Sequence, residues 1–257
     1  MYIDTHAHLY VDKFSDDIDE VIHRAKNNHI DKIMLPNIDI ASIESLHQLS
    51  DKYIGYCYPM MGLHPCSVDD NYKKVNQEME DRLNSERNYI GVGETGVDLY
   101  WDKKYRDQQV KSFEQHIEWA KNYKLPIIIH SRDSLDLTIE IIESNQDGNL
   151  TGVFHCYNGT VDQCRKIADA NFHMGMGGVV TYKNAGLDEM IRYMPDNKLV
   201  LETDAPYLSP VPKRGKRNES SYIPYIVEHL STVRNTTIAD ISKISTTNAL
   251  KLFQLEE

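Results

Sequence analysis

Two histidines one residue apart, His6 and His8, stand near the start of the chain. If that stretch is extended, period-two alternation turns Asp4, His6 and His8 to one face. Neutral imidazoles projecting together suit a divalent cation, although a solvated or core-packed pair has the same spacing. Similar groups recur further on. Gly91-Val92-Gly93-Glu94-Thr95-Gly96-Val97-Asp98 sets an acid among glycines that let backbone and ligand approach closely, and Glu94 has two oxygens with which to bridge two cations. Pro126-Ile127-Ile128-Ile129-His130 ends an apolar run on a histidine that is costly to bury without a partner, with Arg132 two positions on. Gly152-Val153-Phe154-His155 repeats that design, and in Leu199-Val200-Leu201-Glu202-Thr203-Asp204 the two acids share a face. One histidine at a strand end is ordinarily structural, but four of them together with carboxylates at further strand ends point to one shared site. His23, His29, His47, His116 and His229 lie in helical or connecting stretches and read as packing or solvated residues. His173 begins a strand and belongs to the opposite rim.

The elements that must position these groups are short apolar, β-branched runs at 2–5, 32–36, 56–62, 90–93, 126–130, 152–155, 172–176 and 199–202. Between them helical periodicity is clearest at 16–28, 42–53, 105–123, 135–143, 161–170, 222–233 and 239–255. About eight βα units predict an α/β fold, a single (β/α)8 TIM-like barrel over 1–257. A doubly wound open sheet has the same alternation. The barrel is favoured because each candidate falls at the C-terminal end of its strand, where barrel enzymes keep their chemistry.

Bulk properties narrow the class. Hydrophobic residues make up 40% and charged ones 26% of the 257 residues, with no long apolar run, so a globular, non-membrane protein is expected. The N-terminus lacks the pattern of a secretory signal. Four cysteines, Cys57, Cys66, Cys156 and Cys164, form no Cys-x-x-Cys pair, which fits reduced thiols and a cytoplasmic location. A net charge of −11 opposes broad electrostatic binding of a polyanion, so a nucleic-acid substrate would have to be drawn by local features. The metal ions and a short basic stretch, Lys213-Arg214-Gly215-Lys216-Arg217, are the candidates.

Together these segments carry a family resemblance. Ile3-Asp4-Thr5-His6-Ala7-His8-Leu9, Gly62-Leu63-His64-Pro65, Gly93-Glu94-Thr95-Gly96-Val97-Asp98, residues 126–132, Phe154-His155-Cys156-Tyr157-Asn158-Gly159 and Leu201-Glu202-Thr203-Asp204-Ala205-Pro206 occur in this order over nearly the whole chain. In them the chain resembles the TatD-related metal-dependent hydrolases. The resemblance implies a barrel of the amidohydrolase-like type, two divalent cations (magnesium, manganese or zinc) and a phosphodiester substrate, with deoxyribonuclease activity. It also implies the ligands: His6, His8, Glu94 and Asp204 for one cation, and Glu94, His130 and His155 for the other. Many amidohydrolases bridge their metals with a modified lysine, and Glu94 stands in that place here, as in the TatD branch. Tyr10 departs from the family pattern, which commonly has Asp or Asn there, and is expected to alter the rim of the substrate groove. Ser134 stands where Thr or Ala is usual.

On this reading the catalytic groups are Asp204, which orients or deprotonates water, Glu94, His64 and Glu202. His64 would contact phosphate or protonate the leaving oxygen, while Glu202 either supports a ligand from behind or is structural. Arg132, His64, Lys213 and Arg214 are the expected substrate contacts, with ion pairs or a solvated surface as the structural alternative for the cations. Tyr100, Trp101, Tyr157 and Tyr207 are candidates to stack unpaired bases. The expected partner is single-stranded DNA, and no obligate protein partner is inferred. An amide or ester hydrolase, including one acting on the ester of a mischarged tRNA, and a non-catalytic barrel protein are the competing classes.

Overall fold

Short runs such as Ile127–Arg132, too apolar and β-branched to form surface helices, are closed off by amphipathic segments, and the chain accordingly alternates strand and helix throughout. The computed structural model describes residues 1–256. Its strands are β1 (Tyr2–Asp4), β2 (Ile30–Pro36), β3 (Cys57–Met60), β4 (Val92–Asp98), β5 (Ile127–Arg132), β6 (Gly152–Phe154), β7 (His173–Met176) and β8 (Leu199–Leu201). The helices are α1 (Ile18–Asn27), α2 (Ile43–Lys52), α3 (Tyr72–Leu83), α4 (Arg106–Tyr123), α5 (Leu135–Asn145), α6 (Val161–Asp169), α7 (Asp188–Tyr193), α8 (Ile223–Arg234) and α9 (Ile238–Phe253).

All strand pairs are parallel, in two ladders ordered β1-β2-β3 and β4-β5-β6-β7-β8. Two seams join them. At one, Met61 bridges to Val92 and the Gly93 N–H donates to Met61 O at 2.8 Å. At the other, Ala7 bridges to Ala205, the Thr5 N–H donates to Leu201 O at 2.9 Å, and the His8 N–H to Ala205 O at 2.7 Å. The fold is thus the expected (β/α)8 barrel.

Inside the ring, Ile3, Met34, Met60, Ile128, Val153 and Val200 pack together, and Leu252 and Phe253 of α9 plug them from below. A second, larger apolar layer fills the space between the strands and the outer helices. Period two then places chemistry directly above the plug: Ile128 lies beneath His130, Val153 beneath His155, and Val200 beneath Glu202.

Three elements differ from the sequence expectation. β4 runs to Asp98 instead of ending at Gly93, because Thr95, Gly96, Val97 and Asp98 pair with Ile129, His130, Ser131 and Arg132 of β5. Gly96 makes this pairing possible, with φ +135° and a position where any Cβ would meet His130 O at 2.1 Å. α3 was not among the clearest helical stretches, since charged residues dominate it and only Tyr72, Asn76, Met79 and Leu83 reach the interior. α7 is six residues long, too short to show a period.

Candidate metal centre

Six of the expected residues come together at the C-terminal mouth of the barrel. Glu94 lies at their centre, buried, with its two oxygens turned to different partners. Oε2 is 3.1 Å from His6 Nε2 and 3.2 Å from His8 Nε2. Oε1 is 3.0 Å from His130 Nδ1 and 2.9 Å from His155 Nε2. Asp204 completes the first group, its Oδ1 at 3.8 Å from His6 Nε2 and 3.6 Å from His8 Nε2. Burial alone would push the Glu94 carboxyl up, but the imidazoles of His155, His6 and His64 and the contact with His130 outweigh it and hold Glu94 well below the usual carboxylate range.

Hydrogen bonds on the far side of His8 and His130 fix which of their nitrogens faces inward, and a carboxylate lies behind His155. Tyr10 Oη donates to Pro36 O at 2.5 Å, so it accepts from His8 Nδ1–H at 2.9 Å, and the lone pair of Nε2 is left toward Glu94. His130 Nε2–H donates to Asp98 Oδ2 at 2.9 Å, leaving the lone pair of Nδ1. His155 Nδ1 faces Glu202 Oε1 at 3.6 Å, which leaves Nε2. Imidazole nitrogens therefore converge on an ionised carboxylate, a grouping that calls for positive charge, supplied by a bound cation or by protonation of His130 and His155, whose pKa values the neighbouring carboxylates raise against the effect of burial. The spacing agrees. Two donor atoms each ~2.1 Å from one ion and at right angles lie ~3.0 Å apart, which is the separation found around Glu94. The donor set of imidazole and carboxylate thus fits divalent cations, with His6, His8, Glu94 and Asp204 available to one and Glu94, His130 and His155 to another. Three groups, His6/His8/Asp204, His64/Glu94/His130 and His6/His155/Glu202, bring donor atoms within 4.8 Å of one another.

The supporting residues were only partly foreseen. Glu202 is fully buried behind His155, its Oε1 accepting the Cys156 N–H. Its Oε1 faces His155 Nδ1 at 3.6 Å. It is packed so closely against β7 that a Cβ on Gly175 would lie 2.0 Å from its Oε2. Tyr10 is not at the rim as expected: it is buried, and it orients His8. Asp98 had no assigned role, yet burial and the opposing bonds from His130, Tyr100 and Trp101 leave its carboxyl lowered to about 2, an ionised acceptor for His130. Asp4 turns away from the cluster and ties β1 to β8, accepting from the Thr203 N–H at 2.9 Å and Thr203 Oγ1 at 2.6 Å.

His64 sits beside the cluster, Nε2 at 3.5 Å from Glu94 Oε1. Its Nδ1 accepts the Cys66 N–H at 3.1 Å, so the proton is on Nε2 and points into the mouth. Burial pushes its pKa down to about 3, so it is a neutral donor. Arg132 makes no ion pair among the described residues. Its guanidinium stacks on Tyr100, 3.6 Å from the ring centroid, with Trp101 at 5.2 Å. Both aromatics are exposed, Trp101 at 71%. Tyr207, also exposed, lies beside His8 with Lys13 Nζ 4.7 Å over its ring, a cation the sequence reading passed over because it stands alone. Tyr157 is buried, donating to Thr160 O at 2.8 Å, and is no stacking surface.

The basic stretch is divided. Arg217 pairs with Asp17 at 2.6 Å and also donates to Lys13 O, holding the loop to the segment before α1. Lys213 lies over Tyr222 and Tyr225, and Arg214 over Tyr182. His116 is a structural histidine, as expected: Nδ1–H donates to Ser112 O at 2.7 Å and Nε2 accepts the Leu63 N–H at 3.0 Å.

Residues 3–254 match the family model of TatD related DNase. An uncharacterized metal-dependent hydrolase, YabD of Bacillus subtilis (strain 168), is 34% identical over 99% of this chain and 100% of that protein. A 3'-5' ssDNA/RNA exonuclease TatD of Erwinia billingiae (strain Eb661) is 27% identical, covering 98% of each chain. Among solved structures, the TatD homolog YJJV of Escherichia coli k12 superposes with a TM-score of 0.90 at 26% identity, covering 99% of this chain and 98% of that one. A barrel with a histidine-carboxylate centre fit for divalent cations, and a match over nearly every residue, place this chain in the TatD-related family of metal-dependent hydrolases.

Proposed function

We propose that the protein is a divalent-metal-dependent deoxyribonuclease that removes nucleotides from an end of single-stranded DNA. The observation that carries this reading is Glu94, one oxygen toward His6 and His8 and the other toward His130 and His155, since attack on a phosphodiester loads charge on both the entering and the departing oxygen. Two divalent cations bound there would acidify water and offset that charge.

The chain's own groups supply the rest. Burial raises the Asp204 carboxyl to about 6, against the pull of the His155 and His8 imidazoles, so near neutral pH it is an ionised base of moderate strength. It orients the attacking water and takes its proton. His64 Nε2–H donates to a phosphate oxygen, a role its neutral, weakly basic ring favours over protonating the leaving oxygen. Arg132, free of any carboxylate among the described residues, offers its N–H fork to a neighbouring phosphate while Tyr100 and Trp101 stack an unpaired base. Lys213 and Arg214 extend the positive margin. The Erwinia relative, named for single-stranded DNA and RNA, agrees with such a substrate. The four cysteines are unpaired, which suits a cytoplasmic enzyme.

The test is manganese- or magnesium-dependent release of mononucleotides from a single-stranded oligonucleotide. Asp204→Asn is expected to slow it about 10²-fold or more, and chelation to abolish it. Equal rates in variant and parent remove Asp204 from the chemistry. Hydrolysis of an aminoacyl ester without any cleavage of DNA transfers the reading to the carbonyl class.

A further inference from the structure

A cavity of about 750 Å³ lies at the opposite mouth of the barrel from the candidate metal centre. Its walls are the C-terminal ends of α4 and α9 and the residues that lead into β6, β7 and β8. Four lysines line it, Lys121, Lys124, Lys198 and Lys251, against a single carboxylate, Asp147. In a chain of net charge −11 such a grouping is a local reversal of sign. Lys121, Lys124 and Lys251 stand at the ends of α4 and α9, where cations complement the helix dipole.

Lys198 has no such explanation. It is only 9% exposed, has no ion pair among the described residues, and gives one bond, from Nζ to Asn171 Oδ1 at 2.6 Å. A buried ammonium lacking an anion is costly to keep. Beside it, His173 has a buried Nδ1 with no partner. Burial, and then the charges of Lys198 and Lys251, push the His173 pKa down to about 4, against a backbone contact with Gly152 that raises it.

We propose that this cavity binds a small phosphate-bearing molecule, with its phosphoryl group held by Lys198 and Lys251 next to His173. The volume suits an organic phosphate of nucleotide size better than a bare ion, and Asn149, Thr151 and Asn197 supply polar contacts for the remainder. The inference is independent of the nuclease reading, because the cavity shares no residue with the metal centre.

Inorganic phosphate, pyrophosphate and adenosine monophosphate are the probes, each against sodium chloride at matched ionic strength. The imidazole resonances of His173 report on this cavity alone, whereas phosphate taken up at the metal centre leaves them in place. Binding is expected to raise the His173 pKa, and Lys251→Gln, at an exposed position, to weaken binding roughly tenfold or more through loss of a charged hydrogen bond. Hydrolysis of bis(p-nitrophenyl) phosphate should be the same in parent and variant. Lys198→Gln should weaken binding further, and if it does not fold, the Lys251 variant and the His173 signal still decide. No movement of His173 with any probe at millimolar concentration, or equal binding by parent and Lys251→Gln, overturns the proposal. Tighter binding of adenosine monophosphate than of phosphate supports an organic ligand.

Discussion

Three of the imidazoles that face Glu94 each have one residue behind them. Tyr10 orients His8, Asp98 orients His130, and Glu202 faces His155. Such partners keep the ring in one tautomer and raise its basicity, so their loss ordinarily costs 10–100-fold in metal affinity. Asp98→Asn is the sharpest case, since an amide can present its N–H₂ to His130 and reverse which nitrogen carries the proton. Manganese titration should show an apparent Kd raised by roughly 10–100-fold, with little change in thermal stability. An unaltered Kd would mean that His130 is oriented by its packing alone. The signal for two of these partners was present in the sequence, because alternation through His6 and His8 continues to Tyr10, and that through Glu94 continues to Asp98.

At the scale of elements, α4 reaches the site through His116. Its neutral ring joins Ser112 O to the Leu63 N–H, one residue before His64, and so locks the loop after β3. Burial lowers the His116 pKa to about 4, whereas the unfolded chain has the ordinary value of 6.5. Between those values the unfolded state binds more protons than the folded one. Stability is therefore full above pH 6.5 and falls as pH drops toward 4, by on the order of 3 kcal/mol for this group. Urea unfolding of parent and His116→Gln at pH 7 and 4.5 isolates it, because the other histidines titrate in both proteins. The parent should lose more stability than the variant over that interval, and equal losses would show that His116 binds its proton equally well in the folded and unfolded states. The basic loop illustrates the opposite use of charge: Arg217 is tied to Asp17 and anchors the segment, while Lys213 and Arg214 remain at the surface over tyrosines.

For the molecule as a whole, the site depends on an apolar plug one layer below it. Phe253 of α9, 4% exposed, packs with Ile128, Val153 and Val200, which lie beneath His130, His155 and Glu202. Phe253→Ala should lower unfolding free energy by about 3–5 kcal/mol, measured by urea denaturation with excess manganese to keep the centre loaded. A loss below about 1 kcal/mol would mean that the interior collapses around the missing ring without cost. No helix among the described residues is long and apolar enough to cross a membrane.

The alternation of short apolar runs with amphipathic stretches, and the fall of His130, His155 and Asp204 at or just past run ends, were legible because both follow from local periodicity. β4 past Gly93 was not: Glu-Thr-Gly-Val-Asp reads as a turn until β5 offers a pairing edge, and only that pairing extends the strand. Nor could spacing show that Glu202 stands behind His155, that Tyr10 is buried, or that Arg217 is spent on Asp17, since each depends on a contact with a distant part of the chain. The lysines of the lower cavity are scattered from 121 to 251 and resemble ordinary surface charges in sequence. Ring closure alone brings them together, for the same reason that it gathers the six candidate metal ligands from five places in the chain: parallel strands with helical returns put every strand end at one mouth and every strand start at the other.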